Sequence, residues 1–521
     1  TQTQYLEQTR NGRDPTRESN LSCLFYYIML FVMAASNANG VIKLLEKLIK
    51  IFKEEQVFDQ TDDRPVMQFL PPEALQKEIS FSLDNEPASD EQIEDIIRQV
   101  IRRSIKTFSP DFHNKLYRGL DEYGLIGSYL TEILNTSIDT YENAPVFTVI
   151  ENVLIQESLK LMGYPFRSDG IMTPNDTVSI MYAMMAAREA SLLQPNIKHG
   201  LHRHISLACV TSECGYRSIM TAAHWLGFGT KHVYTVKTDK FGRMDTRNLK
   251  KVLKQTSELG IIPFFINVSA GTPVFGAIDP LRKIIKICKE WDMWIHVDAR
   301  DCGSLMFSKL FRCRLRGIES SSSVTWNPHN MLGAPYQCSM ILMQSQFEYG
   351  IDSYLRTIVN EEKQYTMMYG SNTNVKSVQN SRKADAMKFW LMWKARGRSG
   401  LQQLVEKAMC CAKYLLIKIN KTDGFRSVLE QYDSTTVCFW YIPPSMRNAD
   451  ETPFWWKKIY IVTAVIQKRL ILNGSLIIDY ASLPQSNLGN FFRVMVKCYP
   501  LPTRMSMDYI LNQIEKAGAD L

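Results

Sequence analysis

Trp294–Gly303 reads WIHVDARDCG and Ser321–Ser339 reads SSSVTWNPHNMLGAPYQCS, and these two runs decide the fold. Met293–Val297 is a short, apolar, β-prone run that ends on Asp298. Val324–Trp326 is a second such run, and it delivers the turn Asn327-Pro328-His329-Asn330. Strands that are apolar throughout are buried on both faces, which is the condition of a parallel sheet. In such sheets ligands sit at the carboxyl ends of the strands. Asp298 is placed at one of those ends.

Outward from this centre, Ile205–Val210, Val233–Val236 and Ile262–Val268 have the same β-rich character and recur about every 30 residues. The intervals Leu249–Leu259 and Leu281–Trp291 have helical spacing, and Asp279-Pro280 supplies an N-cap and a first-turn proline for the second. Strand and helix in alternation predict parallel βαβ units, and hence a large α/β domain over residues 151–400 with a seven-stranded, mostly parallel sheet. Beyond Gly400 come a helix (Leu401–Lys418), a strand (Thr436–Ile442), a long helix (Phe454–Leu472), two strands (Ser475–Tyr480, Phe491–Cys498) and a closing helix. That order predicts a smaller α+β domain over residues 401–521.

Residues 39–150 form an N-terminal helical segment. Val41, Ile42, Leu44, Leu45, Leu48, Ile49 and Phe52 recur at helical spacing with lysines between them, an amphipathic helix that needs a partner surface. Ser89 and Gln92 form a capping box before the stripe Ile93, Ile96, Ile97, Val100, Ile101. Arg98, Arg102, Arg103 and Lys106 make the other face, expected to be solvated. Within residues 1–38, Leu21–Ser36 is an uncharged, largely apolar run, shorter than the ~20 residues that span a bilayer. It is a translated leader ahead of an ordinary start near Met33, a membrane anchor or targeting peptide, or an extra buried helix.

A chain of 521 residues with 45% apolar content is a folded, multi-domain globular protein. Its net charge of +8, from 61 basic against 53 acidic residues, is spread along amphipathic helices rather than gathered in a tail. That argues against nucleic acid and membrane as partners. The eleven cysteines are scattered, with no C-x-x-C and an odd total, which fits a reducing, cytoplasmic compartment. His199, His202 and His204 lack a cysteine or carboxylate at zinc-like spacing, so no metal site is expected.

The two opening runs, with Asn143-Ala144-Pro145-Val146-Phe147, Tyr182-Ala183-Met184-Met185 and Asn490-Phe491-Phe492-Arg493, resemble the pyridoxal phosphate-dependent decarboxylases that act on glutamate and cysteine sulfinate. Phe439-Trp440-Tyr441-Ile442-Pro443-Pro444-Ser445 resembles the cysteine sulfinate and acidic amino-acid branch most. The resemblance covers roughly Glu91 to Leu521. It implies a type I pyridoxal phosphate (aspartate aminotransferase-like) fold, a dimer with its site at the subunit interface, and an acidic amino acid as substrate. It also implies roles. Asp298 keeps the pyridine nitrogen protonated so that the ring can draw electrons from a carbanion. Ala299, Ser269, Thr272 and His329 line the cofactor, and Thr173, Asp176 and Thr177 fall at its phosphate. Tyr216 falls where a histidine stacks on the ring, or Gly215 does if a one-residue gap is placed. Arg493 binds a substrate carboxylate with its guanidinium fork, Lys115 stands beside the substrate or on the surface, and Tyr369 on the catalytic loop protonates the carbanion.

The departures from the family pattern are as informative. The family's Schiff-base lysine follows Asn-Pro-His, where this chain has Asn330, whose amide nitrogen cannot condense with an aldehyde. Glycines that admit a phosphate to a helix N-terminus are replaced by Thr173-Pro174-Asn175-Asp176-Thr177. Asp176 either opposes the phosphate, by about 4 kcal/mol for two unit charges at ~4 Å, or is a harmless N-cap beside it. Arg300-Asp301 puts a bulky ion pair where the family has small and aromatic packing. The expectation is a decarboxylase fold with little or no decarboxylase activity. The alternatives are an active glutamate, cysteine sulfinate or aspartate decarboxylase, a module for another ligand, and a non-catalytic dimer partner of an active paralogue.

Overall fold

The computed structural model describes residues 40–58, 65–107, 109–114, 119–166, 168–191, 206–344, 377, 379 and 381–521. Lys115, Tyr369, the three histidines 199, 202 and 204, and the apolar run 21–36 lie outside the described residues. The chain divides into two compact units, residues 65–69 and 105–521 forming the larger and the rest the smaller.

In the smaller unit residues 40–54 are helical, as are Pro72–Glu78 and Asp90–Arg103. The capping box forms as expected: Gln92 N donates to Ser89 Oγ (3.3 Å) and Ser89 N to Gln92 Oε1 (2.8 Å). The basic face is not simply solvated. Arg102 forks onto the buried Glu55 (2.9 and 2.7 Å), Arg98 reaches the same carboxylate (3.3 Å), and Arg103 pairs with Glu78. Glu54 and Glu55 close the first helix, so Arg98 and Arg102 bind its C-terminal turn, while Arg103 binds the end of the Pro72–Glu78 helix. Val41, Ile42, Leu44 and Ile49 remain exposed.

The larger unit carries β1 (Phe112–His113), β2 (Asp169–Thr173), β3 (Leu207–Ser212), β4 (Val233–Val236), β5 (Ile262–Ser269), β6 (Trp294–Asp298), β7 (Ser323–Trp326), β8 (Ser339–Met343), β9 (Phe425–Ser427), β10 (Thr436–Tyr441), β11 (Ile477–Leu483) and β12 (Leu488–Met495). Seven form one sheet in the order β2-β8-β7-β6-β5-β3-β4. Pairing is parallel from β7 through β4, and only β8 runs antiparallel to both its neighbours. Both faces are covered. β6 gives Trp294 to one apolar cluster and Ile295 and Val297 to the other, which is why it reads as apolar throughout. The second sheet, β1-β11-β12-β10-β9, is mostly antiparallel and packs with the Pro453–Asn473 and Arg504–Gly518 helices.

Two local expectations are corrected. Asp279 does not cap the Leu281–Lys289 helix, whose N-cap is Pro280. Its buried carboxylate instead accepts from Met244 N (2.7 Å) and Ser269 N (2.8 Å), stapling two loops. The helix expected from Leu401 begins at Ala386 and runs to Ile419, broken only at Gly397 (φ 64°, ψ 173°). Its earlier part carries Phe389, which packs edge-on against the fully buried Trp326 at 5.4 Å. That contact fixes the end of β7, and so the turn after it.

Candidate active site

Asp298 ends β6, with Ser269 on β5 and Thr325 on β7 as register partners. Its carboxylate is buried, 3% exposed. Two residues on, Arg300 folds back over it. Nε donates to Oδ1 at 3.1 Å, the main-chain N–H to the same oxygen at 3.3 Å, and one terminal nitrogen to Oδ2. The other terminal nitrogen donates to Asp176 and lies 3.4 Å from Ser218 Oγ. One guanidinium thus joins the carboxyl end of β6 to the first turn of the Asp176–Ser191 helix.

Asp176 is free for this because it is not the cap. Asn175 Oδ1 accepts from Val178 N at 3.0 Å, and Thr173 Oγ1 lies 2.6 Å from Ser179 Oγ. Thr177 follows within the helix. The reading of Asp176 as an N-cap is therefore corrected, since Asn175 is the cap, and so is the pairing of Arg300. Its salt bridges run to Asp298 and Asp176 rather than merely to its neighbour in sequence.

Burial pushes the Asp298 carboxyl up, to about 7, with Asp301 pushing the same way and the Arg300 main-chain N–H opposing. Burial also pulls the Arg300 guanidinium down, against Asp301. A guanidinium does not give up its proton in a protein, and here it lies on both Asp298 oxygens. The fork therefore holds Asp298 ionised at neutral pH.

Asn330 lies in the short Pro328–Met331 turn that follows β7. Its Nδ2 donates to Asp301 Oδ1 (3.1 Å) and to the Arg300 carbonyl (3.3 Å). The amide thereby holds the main chain from which Arg300 springs. Beside it, His329 is buried, with Nδ1 2.6 Å from the Cys338 carbonyl and its ring 4.6 Å from Tyr336. Ala299 is fully buried, its N–H donating to Thr325 O. Thr272 Oγ1 accepts from Ala277 N (3.0 Å), closing the loop that returns to β5. Gly271 permits that loop at φ +108°, and a Cβ there would meet Cys302 Sγ at 2.8 Å. Gly215 is equally tight: a Cβ would stand 2.9 Å from Ser269 Oγ. Tyr216 opens the Tyr216–Trp225 helix.

Arg493 on β12 is 4% exposed. It donates to Asp479 on β11 and to the Pro273 carbonyl at 2.8 Å, while Nε has no hydrogen-bond partner. It opens onto a cleft of about 850 Å³ that Glu213, Cys214, Ser218, Arg300 and Tyr480 also line. Sequence reasoning singled out Arg493 and Arg300 but missed Asp479 and Asn175, the partners that decide what each can do. An aspartate opposite an arginine in a hairpin is a visible signal only once the register is known.

The model described as the pyridoxal-dependent decarboxylase conserved domain matches residues 72–442. The chain belongs to that family. The acidic amino acid decarboxylase GADL1 of Xenopus tropicalis is 37% identical over 484 residues, 92% of this chain and 93% of that protein. Human cysteine sulfinic acid decarboxylase is 37% identical over 493 residues, 94% and 98% respectively. The crystal structure of mouse CSAD in apo form superposes with a TM-score of 0.86 at 35% identity, covering 92% of this chain and 100% of that one. The fold is thus the type I fold of these decarboxylases, and pyridoxal phosphate is the family's cofactor.

The residues present here fit that cofactor poorly. Asp298, the expected partner of the ring nitrogen, has both oxygens taken by Arg300. The helix N-terminus expected to receive a phosphate carries a carboxylate in its first turn. Asn330 offers an amide already donating to Asp301. Among the described residues no cluster of His, Cys, Asp and Glu could hold a metal ion. No helix among them is long and apolar enough to cross a membrane.

Proposed function

We propose that this chain is a member of the acidic amino-acid decarboxylase branch with little or no decarboxylase activity. The observation that carries this is Asn330. By its place after Asn-Pro-His it stands where the family has its Schiff-base lysine, and its amide is committed to Asp301 and the Arg300 carbonyl. An amide nitrogen, conjugated with its carbonyl, neither condenses with an aldehyde nor moves a proton at neutral pH. The full chain, purified with excess pyridoxal phosphate, is expected to be colourless after desalting. It should release no carbon dioxide from cysteine sulfinate, aspartate or glutamate above a protein-free control. Visible absorption together with turnover of any of the three would overturn the proposal.

The partner that suits this reading is a second copy of the chain or an active paralogue. In the larger unit, Ile126 and Ile133 on the Glu122–Leu134 helix and Val146, Val149 and Val153 on the Pro145–Met162 helix are exposed. Apolar side chains grouped like this favour burial against another subunit. A stable monomer at micromolar concentration in sedimentation would count against it. A cytoplasmic location accords with the cysteines, each of which is free among the described residues.

A further inference from the structure

We propose that Arg300 and Asp176 are a built-in substitute for the cofactor, so that the pocket is complete without pyridoxal phosphate and excludes it. This rests on the family membership and goes a step further than the loss of catalysis at residue 330. Bound in the expected orientation, the cofactor would bring a protonated ring nitrogen to Asp298 and a phosphate anion to the N-terminus of the Asp176–Ser191 helix. The chain supplies the same two charges in the same order. The guanidinium of Arg300 is the cation on Asp298, and the carboxylate of Asp176 is the anion in the helix's first turn. A helix N-terminus favours an anion whatever its source, and a buried carboxylate that stays charged is stabilised by a cation beside it.

The arrangement is supported from outside. Asn330 holds the Arg300 carbonyl and the neighbouring Asp301, while Ser218 contributes a hydroxyl at 3.4 Å from the guanidinium. Asn175 caps the helix in place of Asp176, which leaves that carboxylate unencumbered for Arg300. To admit the ring, Arg300 must leave Asp298. Asp176 would then face a phosphate with no cation between them. Separating a buried ion pair is strongly unfavourable, so affinity should fall by roughly a thousandfold or more relative to a site lacking the plug.

The test uses pyridoxamine 5′-phosphate, which carries ring nitrogen and phosphate but, having an amine in place of the aldehyde, needs no lysine. Titrated calorimetrically into the full chain, it is expected to show no saturable binding. The double variant Asp176→Gly with Arg300→Ala is expected to bind it, and each single change to bind more weakly than independent effects would give. Should small residues let the pocket collapse, Asp176→Asn with Arg300→Gln keeps volume and hydrogen bonds and carries the same expectation. Micromolar binding to the unaltered chain overturns the proposal, as does a folded Asn/Gln variant that binds no better than the parent. Binding without turnover would remove only this inference. Turnover by the unaltered chain would remove it and the proposed loss of activity together.

Discussion

Arg493 and Asp479 are register partners across β12 and β11, and the guanidinium is bound to the carboxylate. The pair is unequal. Arg493 is 5% exposed at its side chain and Asp479 29%. Removing the acid strands a buried cation with only the Pro273 carbonyl. Removing the arginine leaves an anion that water can reach. Asp479→Ala is therefore expected to lower stability by about 3–5 kcal/mol, and Arg493→Ala by the ordinary ~1–3 kcal/mol. Urea unfolding of both variants checks the order, and a larger loss for Arg493→Ala would contradict the burial argument.

Lys497 offers a prediction in pH. It is buried, donates to the Ser109 carbonyl at 2.5 Å, and lies over the Phe112 ring. Burial pulls its amine down to about 7, against the attraction of Asp111. Burial in turn pushes the Asp111 carboxyl up to about 6, with Lys497 opposing, and the buried His113 is pulled down to about 3. A lysine whose folded pKa lies below its unfolded value contributes stability above the unfolded pKa and loses it as pH falls through the folded one. The stability of the parent minus that of Lys497→Met should therefore rise between about pH 7 and pH 10, with a slope of up to about 1.4 kcal/mol per pH unit. A difference that stays flat across that window would mean that Lys497 is not desolvated.

Gly397 gives a backbone prediction. It sits inside the Ala386–Ile419 helix at φ 64°, ψ 173°, and a Cβ there would meet only Ser399 Oγ at 3.9 Å. Space is available but the conformation is not, so Gly397→Ala should cost about 1–3 kcal/mol through strain alone. A neutral result in thermal unfolding would mean the helix can straighten through this point.

The contrast between what the sequence disclosed and what it hid follows from the range of the interactions. The parallel strands were legible because burial on both faces leaves an apolar run, and β3 to β7 formed close to the expected residues. β2 and β8 escaped notice because Asp169–Thr173 holds only two large apolar residues, Ile171 and Met172, and Ser339–Met343 is too short to show a period of its own. The helix before Leu401 was cut short because Gly400 reads as the boundary, whereas the backbone leaves the helical region only at Gly397. Asp279 and Asp176 both looked like caps, since a carboxylate at a helix start usually is one. Tertiary partners claimed both. Arg300 was visible as a departure, yet its bond to Asp176 spans 124 positions and could not be read from spacing.

The repair of residue 330 brings these arguments together. If the absent lysine were the whole of the difference, Asn330→Lys would suffice, because Asp298, Ser269, His329 and Arg493 are all retained. Arg300 argues otherwise. A lysine at 330 gives up the amide's bond to Asp301 and its hold on the Arg300 carbonyl, but it leaves the guanidinium on Asp298 and the carboxylate at the helix N-terminus. With no room for the ring and no welcome for the phosphate, the aldehyde is not held beside the new amine. The triple change Asn330→Lys, Asp176→Gly and Arg300→Ala should accept the cofactor covalently when Asn330→Lys alone does not, a non-additive outcome expected of groups that act on one ligand. Both proteins would be incubated with pyridoxal phosphate, reduced with borohydride and digested. A phosphopyridoxyl adduct at position 330 is expected in the triple variant only. Full labelling of the single variant would show that Arg300 yields to the cofactor, and that one side chain separates this chain from a working decarboxylase.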